Sequence, residues 1–120
     1  MTEVVSLSPD GQVIEVLSTG TPSVTELRRT LERIRELHEQ HGVALVLVDS
    51  RQREFDVSTA DSFEGGSHLA KVAHKLKFAV VTTTMPENAR FFENVTANRG
   101  ARLRHFLDVD LALSWLREDL

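Results

Sequence analysis

The chain has 120 residues, a mass of 13.5 kDa and a formal net charge of −4 at pH 7. A chain of this length forms one domain, here residues 1–120, and buries roughly two thirds of its unfolded surface. It contains no cysteine, which excludes disulfides, thiolate metal sites and cysteine nucleophiles and is typical of a reducing compartment. The acidic balance and low aromatic content argue against a nucleic-acid-binding protein. Because no stretch approaches about 18 apolar residues, we expect no membrane span and a cytoplasmic location.

The N-terminal part predicts a β-hairpin. Residues 3–8 and 12–17 are short runs of β-forming residues. Between them, Pro9 presets the backbone angle of a turn and Gly11 accepts the positive φ that such a turn needs. We therefore expect the two strands to pair antiparallel.

A long amphipathic helix is predicted over Val24–His41. Ser23 and Glu26 match a capping box, and Gly42 provides a left-handed stop. The apolar stripe of this helix is narrow, which places one side on a sheet and the other in water. The stripe comprises Val24, Leu27, Leu31, Ile34 and His41.

The rest of the chain alternates strands with helices. Residues 43–48 are apolar at every position, as in a central parallel strand, and this strand is expected to end at Asp49 in a polar loop. Residues 78–81 and 101–107 predict two more strands. The helices between and after these strands are predicted to begin at Ser58, Thr84 and Asp108.

The resulting order, ββαβαβαβα, defines an α/β fold. Because crossovers between parallel strands are right-handed, this order requires a mostly parallel sheet of about five strands with helices packed on it. Ligand sites in such sheets lie outside the carboxyl ends of the strands. The segment that follows Asp49 is therefore the first place to look for a binding surface.

Two sequence motifs accompany this element order. Residues 55–59, Phe-Asp-Val-Ser-Thr, open the second predicted helix, and residues 106–116 close the chain with an acidic cap followed by an alanine, tryptophan and leucine pattern. Together they resemble the STAS superfamily, and within it the SpoIIAA-like stand-alone proteins related to bacterial anti-sigma-factor antagonists. The resemblance implies a STAS-like fold and a bacterial regulatory module that acts by binding.

The resemblance also implies a phosphorylation site. Antagonists of this type carry a phosphorylatable serine at the start of the second helix, a position that falls on Ser58, with Thr59 beside it. Val57 and Ala60 stand where the family motif has aspartate and glycine, which argues against recognition by a dedicated kinase. The alternative is that Ser58 caps the helix, which typically contributes about 1 kcal/mol, and we prefer this interpretation.

The charges around Ser58 both favour and oppose a phosphate. A phosphate there would lie at the positive end of a helix, with Arg51 and Arg53 as candidate partners. Four nearby carboxylates would repel it: Glu54, Asp56, Asp61 and Glu64.

Asp49 also allows two interpretations. It could bind a cation or orient a ligand at the strand end, or it could accept a hydrogen bond from a nearby backbone amide, which we rank first. A phosphoacceptor role would need an acidic pair after the first strand, and residues 17–19 offer none. His38 and His41 lie three apart on the first helix without an evident third ligand, so no metal site is predicted.

Surplus apolar residues suggest a partner surface or a pocket. Leu111 and Trp115 are predicted to form a second apolar patch on the last helix. Adjacent phenylalanines give the third predicted helix aromatic surface on both sides. A pocket between the second and third predicted helices would be lined by Phe63, Leu69, Met85, Phe91 and Phe92.

The sequence contains no phosphate-binding loop, dinucleotide fingerprint or nucleophile elbow. We therefore expect a non-enzymatic module without a cofactor, which acts as a homodimer or with a protein partner. An alternative is a carrier that binds an apolar small molecule such as a lipid, or a nucleotide. A phosphorylation switch at Ser58 is a weaker alternative. The predicted partner surface includes Asp49, Arg51, Arg53 and Asp56.

Overall fold

The computed structural model describes residues 3–20, 23–53, 75–85, 90, 93–94, 97 and 102–118. These residues form a five-stranded sheet with one long helix on one face and a shorter helix on the other. The elements are β1 (Glu3–Leu7), β2 (Ile14–Gly20), α1 (Val24–His41), β3 (Leu45–Arg53), β4 (Lys77–Val81), β5 (Arg102–Phe106) and α2 (Val109–Arg117).

The strands lie in the order β1-β2-β3-β4-β5. β1 is antiparallel to β2, whereas β2, β3, β4 and β5 are parallel to one another. β1 and β5 are therefore the two edge strands of the described sheet. The predicted α/β class and the mostly parallel sheet of five strands are confirmed.

The turn between β1 and β2 is held by side chains. The Oδ1 atom of Asp10 accepts hydrogen bonds from Ser8 Oγ at 2.6 Å and from the amide of Gln12 at 3.0 Å, and Gly11 has a φ of 70°. The predicted hairpin is confirmed. The amide of Gln12 donates its hydrogen bond within the turn, so β2 begins later than predicted, at Ile14.

Both predicted ends of α1 are confirmed. The amide of Glu26 donates to Ser23 Oγ at 3.1 Å, and the amide of Ser23 donates back to Glu26 Oε1 at 3.4 Å. At the other end Gly42 adopts a φ of 69°, and its amide donates to the carbonyl of His38 at 2.8 Å. The capping box and the left-handed stop together fix the length of the helix.

Successive strand residues point to opposite faces of the sheet, and each face has its own core. The α1-side core contains Ile14, Ile34, Val46 and Phe78, all at most 1% exposed. The α2-side core contains Ala79, Val81, Ala112 and Leu116, all fully buried.

β3 continues beyond the point where the sequence predicted a loop. The strand ends at Arg53, not at Asp49. It is extended because Gln52 and Arg53 pair with the polar end of β2, at Thr19 and Gly20. The expectation of a loop directly after Asp49 is therefore wrong for residues 50–53.

The last helix begins as predicted but does not carry the predicted second patch. Asp108 Oδ1 accepts the amide of Leu111 at 3.0 Å, which confirms the cap. Leu111 is 63% exposed, whereas Trp115 packs against the α2-side core, with its ring centroid 5.6 Å from that of Phe106. The aromatic partner on β5 draws Trp115 onto the sheet, so the two residues do not share an exposed patch.

The third predicted helix is described at four positions. Arg90, Glu93, Asn94 and Ala97 have helical backbone, in agreement with the prediction. None of the helices in the described part of the chain is long and apolar enough to cross a membrane.

Candidate functional site

The candidate functional site is the carboxyl edge of the sheet, where β2, β3, β4 and β5 all end. Pairing places Leu17, Asp49, Val81 and Phe106 in one row across these strands. Val4 extends the row onto β1. Since Val81 and Phe106 pack in the α2-side core, the row lies on the α2 side of the sheet.

Asp49 and Arg51 form a bidentate ion pair at this edge. The Nε and Nη2 atoms of Arg51 donate to Asp49 Oδ1 and Oδ2 at 2.9 and 2.8 Å. The amide of Arg51 also donates to Asp49 Oδ1 at 3.1 Å. The side-chain hydrogen bonds from Arg51 lower the pKa of the Asp49 carboxyl, although partial burial opposes them. The preferred interpretation of Asp49 as an acceptor for a backbone amide is thus confirmed, within a strand.

A bulge in β3 separates the two arginines of the predicted partner surface. Over the same interval β2 advances two residues, from Leu17 to Thr19, whereas β3 advances three residues from Asp49. β3 therefore contains one extra residue at this point. Such a bulge moves the later side chains to the other face. Arg53 accordingly donates from Nε to Ser18 Oγ, at 2.7 Å on the α1 side. Arg53 therefore lies on the face of the sheet opposite Asp49 and Arg51, and the partner surface itself stays a prediction.

Four buried polar side chains form a second row at the carboxyl edge, on the α1 side. Glu3 and Ser18 are register partners on β1 and β2, Ser50 lies on β3 directly after Asp49, and Thr82 directly follows β4. All four are at most 9% exposed. Ser50 Oγ donates to the carbonyl of Val81 at 2.8 Å. Within the described residues, Glu3 Oε2 and Thr82 Oγ1 are buried without a hydrogen-bond partner.

This buried polar row was not predicted, although the sequence carries a signal for it. A valine is followed two positions later by serine or threonine at the end of each of three parallel strands. Since residues two apart share a face, each pattern continues a buried apolar side chain with a polar one. The three patterns are residues 16–18, 48–50 and 80–82.

Large exposed apolar side chains also gather at the carboxyl edge. Five are strongly exposed among the described residues, with exposed fractions from 40% to 63%. Two lie in the α2-side row. Of the other three, one follows β4, one follows β5 and one lies in the first turn of α2. They are Val4, Leu17, Met85, Leu107 and Leu111.

The opposite, amino edge of the sheet carries a buried lysine that no sequence motif indicated. Lys77 is 3% exposed, and its Nζ contacts the carbonyls of Trp115, Leu116 and Glu118 at the end of α2. The same atom lies 4.4 Å from the centroid of the Trp115 ring. The ammonium group thus satisfies carbonyls that have no partner within the helix.

The histidines do not form a metal site in the described part of the chain. His38 Nδ1 lies 2.9 Å from the carbonyl of Val43, and His105 Nδ1 lies 2.8 Å from Glu93 Oε2. Across these residues no group of three histidine, aspartate or glutamate side chains is placed to hold a metal ion. The Glu93 contact ties β5 to the third predicted helix.

Several predicted site residues lie outside the described residues. Of the predicted pocket, the structure describes Met85 alone, which is 49% exposed. The predicted phosphorylation position, one acid of the partner surface and the rest of the pocket remain predictions. These residues are Asp56, Ser58, Thr59, Phe63, Leu69, Phe91 and Phe92.

Comparison of the chain with known proteins identifies its fold. No protein-family model matches the sequence, and no curated protein matches it. Among solved structures, it is similar to an uncharacterised protein of the DUF3478 family with a SpoIIAA-like fold, from Shewanella loihica PV-4. The two share 17% sequence identity with a TM-score of 0.56, over 95% of this chain and 91% of the other. The protein therefore has a SpoIIAA-like α/β fold, as the resemblance predicted.

Proposed function

We propose that this protein is a non-enzymatic, regulatory binding module that acts through a protein partner or through self-association. Its working surface is the carboxyl edge, centred on Arg51. The observation that carries the proposal is the position of Val4, Leu17, Leu107 and Leu111, exposed apolar side chains that all lie at this edge. The proposal includes the cytoplasmic location expected from the sequence.

The chemistry of Arg51 supports a role in binding. Its side chain is 46% exposed, yet Asp49 holds two of its nitrogen atoms in place. An arginine that is already oriented loses little side-chain freedom on binding, and arginines surrounded by apolar side chains are frequent energetic centres of interfaces. Because Arg51 engages both carboxylate oxygens of Asp49, that carboxylate is better suited to positioning than to proton transfer.

Replacement of Arg51 by alanine tests this proposal. Affinity capture from extracts of the host cell, combined with sedimentation velocity of the purified protein, would detect a partner or an oligomer. We expect Arg51→Ala to weaken the association at least about tenfold, as for an arginine at the centre of an interface. Arg33→Ala is the matched control, because Arg33 is 49% exposed and pairs with Glu36 at 3.2 Å on α1.

Two results would contradict the proposal. One is a monomer at all concentrations that captures no protein from the extract. The other is an association that Arg51→Ala and Arg33→Ala weaken equally, since this would report a general effect of charge.

A carrier for an apolar small molecule or a nucleotide is the second candidate. Thr82 Oγ1, which is buried without a hydrogen-bond partner among the described residues, favours it, because this atom could bind a polar group of a ligand three residues before the exposed Met85. Native mass spectrometry of the wild-type protein purified from its host distinguishes the two candidates. A small molecule bound in place of a protein partner would favour the carrier. The phosphorylation switch at Ser58 stays a weaker alternative.

A further inference from the structure

The two edge strands of the sheet differ in their protection against pairing. β5 carries Arg102 and Arg104, both exposed, and the guanidinium of Arg104 lies 5.6 Å from the ring centroid of Phe106. Charged side chains of this kind oppose the addition of another strand. The exposed arginines of β5 therefore protect this edge against pairing with another strand.

β1, at the other edge of the described sheet, has no exposed charged side chain of its own. Residues 4–7, Val-Val-Ser-Leu, contain no charge, and the only charged residue of the strand, Glu3, is 9% exposed and accepts a hydrogen bond from Thr30 of α1 at 3.3 Å. Val4 is 59% exposed on the α2 side, and its partner across the hairpin, Leu17, is 40% exposed. An uncharged edge strand beside exposed apolar side chains favours pairing with another strand.

We infer that β1 pairs antiparallel with β1 of a second copy of this chain, joining two five-stranded sheets into one. The inference rests on the self-association in the proposed function and identifies the interface. Antiparallel pairing of a strand with its own copy is two-fold symmetric and closes as a dimer. Pairing of β1 with β5 of another copy would instead extend indefinitely, and Arg102 and Arg104 oppose it.

The geometry of the pairing explains why a second copy suits this edge. The α2 side of β1 presents Val4 and Ser6, both exposed and both neutral. With Val5 on the two-fold axis, Val4 of one copy would lie opposite Ser6 of the other, so the pairing brings no like charges together. The exposed Val4 and Leu17 of the two copies would then lie on one continuous sheet face.

Val4→Lys tests the inference by placing two like charges beside the proposed two-fold axis. By sedimentation equilibrium we expect the wild-type protein to form a species of twice the 13.5 kDa chain mass. The dissociation constant of this dimer should rise at least about tenfold in Val4→Lys, since the two lysines would be diagonal neighbours across the two-fold axis and their like charges would repel each other. Ser114→Lys is the control, because it adds the same charge at an exposed residue of α2 that lies outside the proposed binding surface.

Cross-linking provides a second readout that does not depend on affinity. The chain has no cysteine, so Ser6→Cys and Ser114→Cys each introduce a single thiol. A short bismaleimide reagent should link two copies of Ser6→Cys, because the two positions would be diagonal neighbours across the two-fold axis, roughly 7–8 Å apart. It should not link Ser114→Cys, which lies on α2 outside the proposed binding surface. Circular dichroism checks that each variant is folded.

The outcomes separate this inference from the proposed function. A monomeric wild-type protein, or a dimer that Val4→Lys leaves intact and that Ser6→Cys does not link, would overturn it. If Arg51→Ala still abolished capture of a protein partner in that case, the binding role of the carboxyl edge would stand. A dimer that depends on Val4 but not on Arg51 would support the β1 interface and confine self-association to that edge.

Discussion

Replacing Phe78 by alanine is expected to lower the free energy of unfolding by about 4 kcal/mol. Phe78 is 1% exposed in the centre of the sheet, where β4 lies between β3 and β5 on the α1 side. Truncation removes most of a buried aromatic ring and leaves a cavity between rigid strands and α1. This loss is a large part of the roughly 5–15 kcal/mol that stabilises a typical domain.

Urea unfolding followed by circular dichroism measures the effect at Phe78. Phe78→Leu keeps much of the buried volume and should cost clearly less than Phe78→Ala, even where the latter is too unstable to study. Leu111→Ala, at a residue that is 63% exposed, should change stability by less than about 0.5 kcal/mol. A cost below about 1 kcal/mol for Phe78→Ala would contradict the position of this ring in the core.

Lys77→Met is expected to lower the free energy of unfolding by about 2 kcal/mol and to loosen the end of α2. Methionine can fill the space of the lysine stem but cannot donate to the carbonyls of Trp115, Leu116 and Glu118. Relief from burying an ammonium group offsets part of this loss. The net effect is destabilising because three carbonyls at one helix end lose the ammonium donor together, although the Trp115 carbonyl keeps the amide of Glu118 as a donor.

Two readouts make the Lys77 prediction specific. Hydrogen exchange should rise in residues 112–118, and the fluorescence of Trp115, the single tryptophan of the chain, should change in the native state. Lys75→Met, at an exposed lysine two residues earlier, should leave both unchanged. Equal effects of the two substitutions, or unchanged stability of Lys77→Met, would show that the carbonyl contacts contribute nothing net.

Features of the fold that depend on neighbouring residues follow directly from the sequence. The turn at Gly11, the capping box of Ser23 and Glu26, and the cap at Asp108 each involve residues within a few positions of one another. Their chemistry is local, so residue type and spacing are sufficient to predict them. The apolar run before Asp49 likewise predicts a buried parallel strand.

Features that depend on distant partners do not follow in this way. β3 extends to Arg53 because the end of β2 is there to pair with it, and the bulge that turns Arg53 away from Arg51 arises from that pairing. Lys77 is buried because the end of α2, 38 residues later, supplies carbonyls. In the sequence, polar residues at strand ends have the composition of a loop. Only the distant strand or helix that pairs with them shows that they belong to the sheet.

The most direct test of the proposed binding surface is photo-cross-linking in the host cell. A benzoylphenylalanine placed at Leu107, which is 57% exposed at the carboxyl edge, should form covalent adducts with a protein partner or a second copy. The same group at Lys75, exposed beside the amino end of β4, should form none. Adducts at Lys75 and none at Leu107 would contradict the assignment of binding to the carboxyl edge.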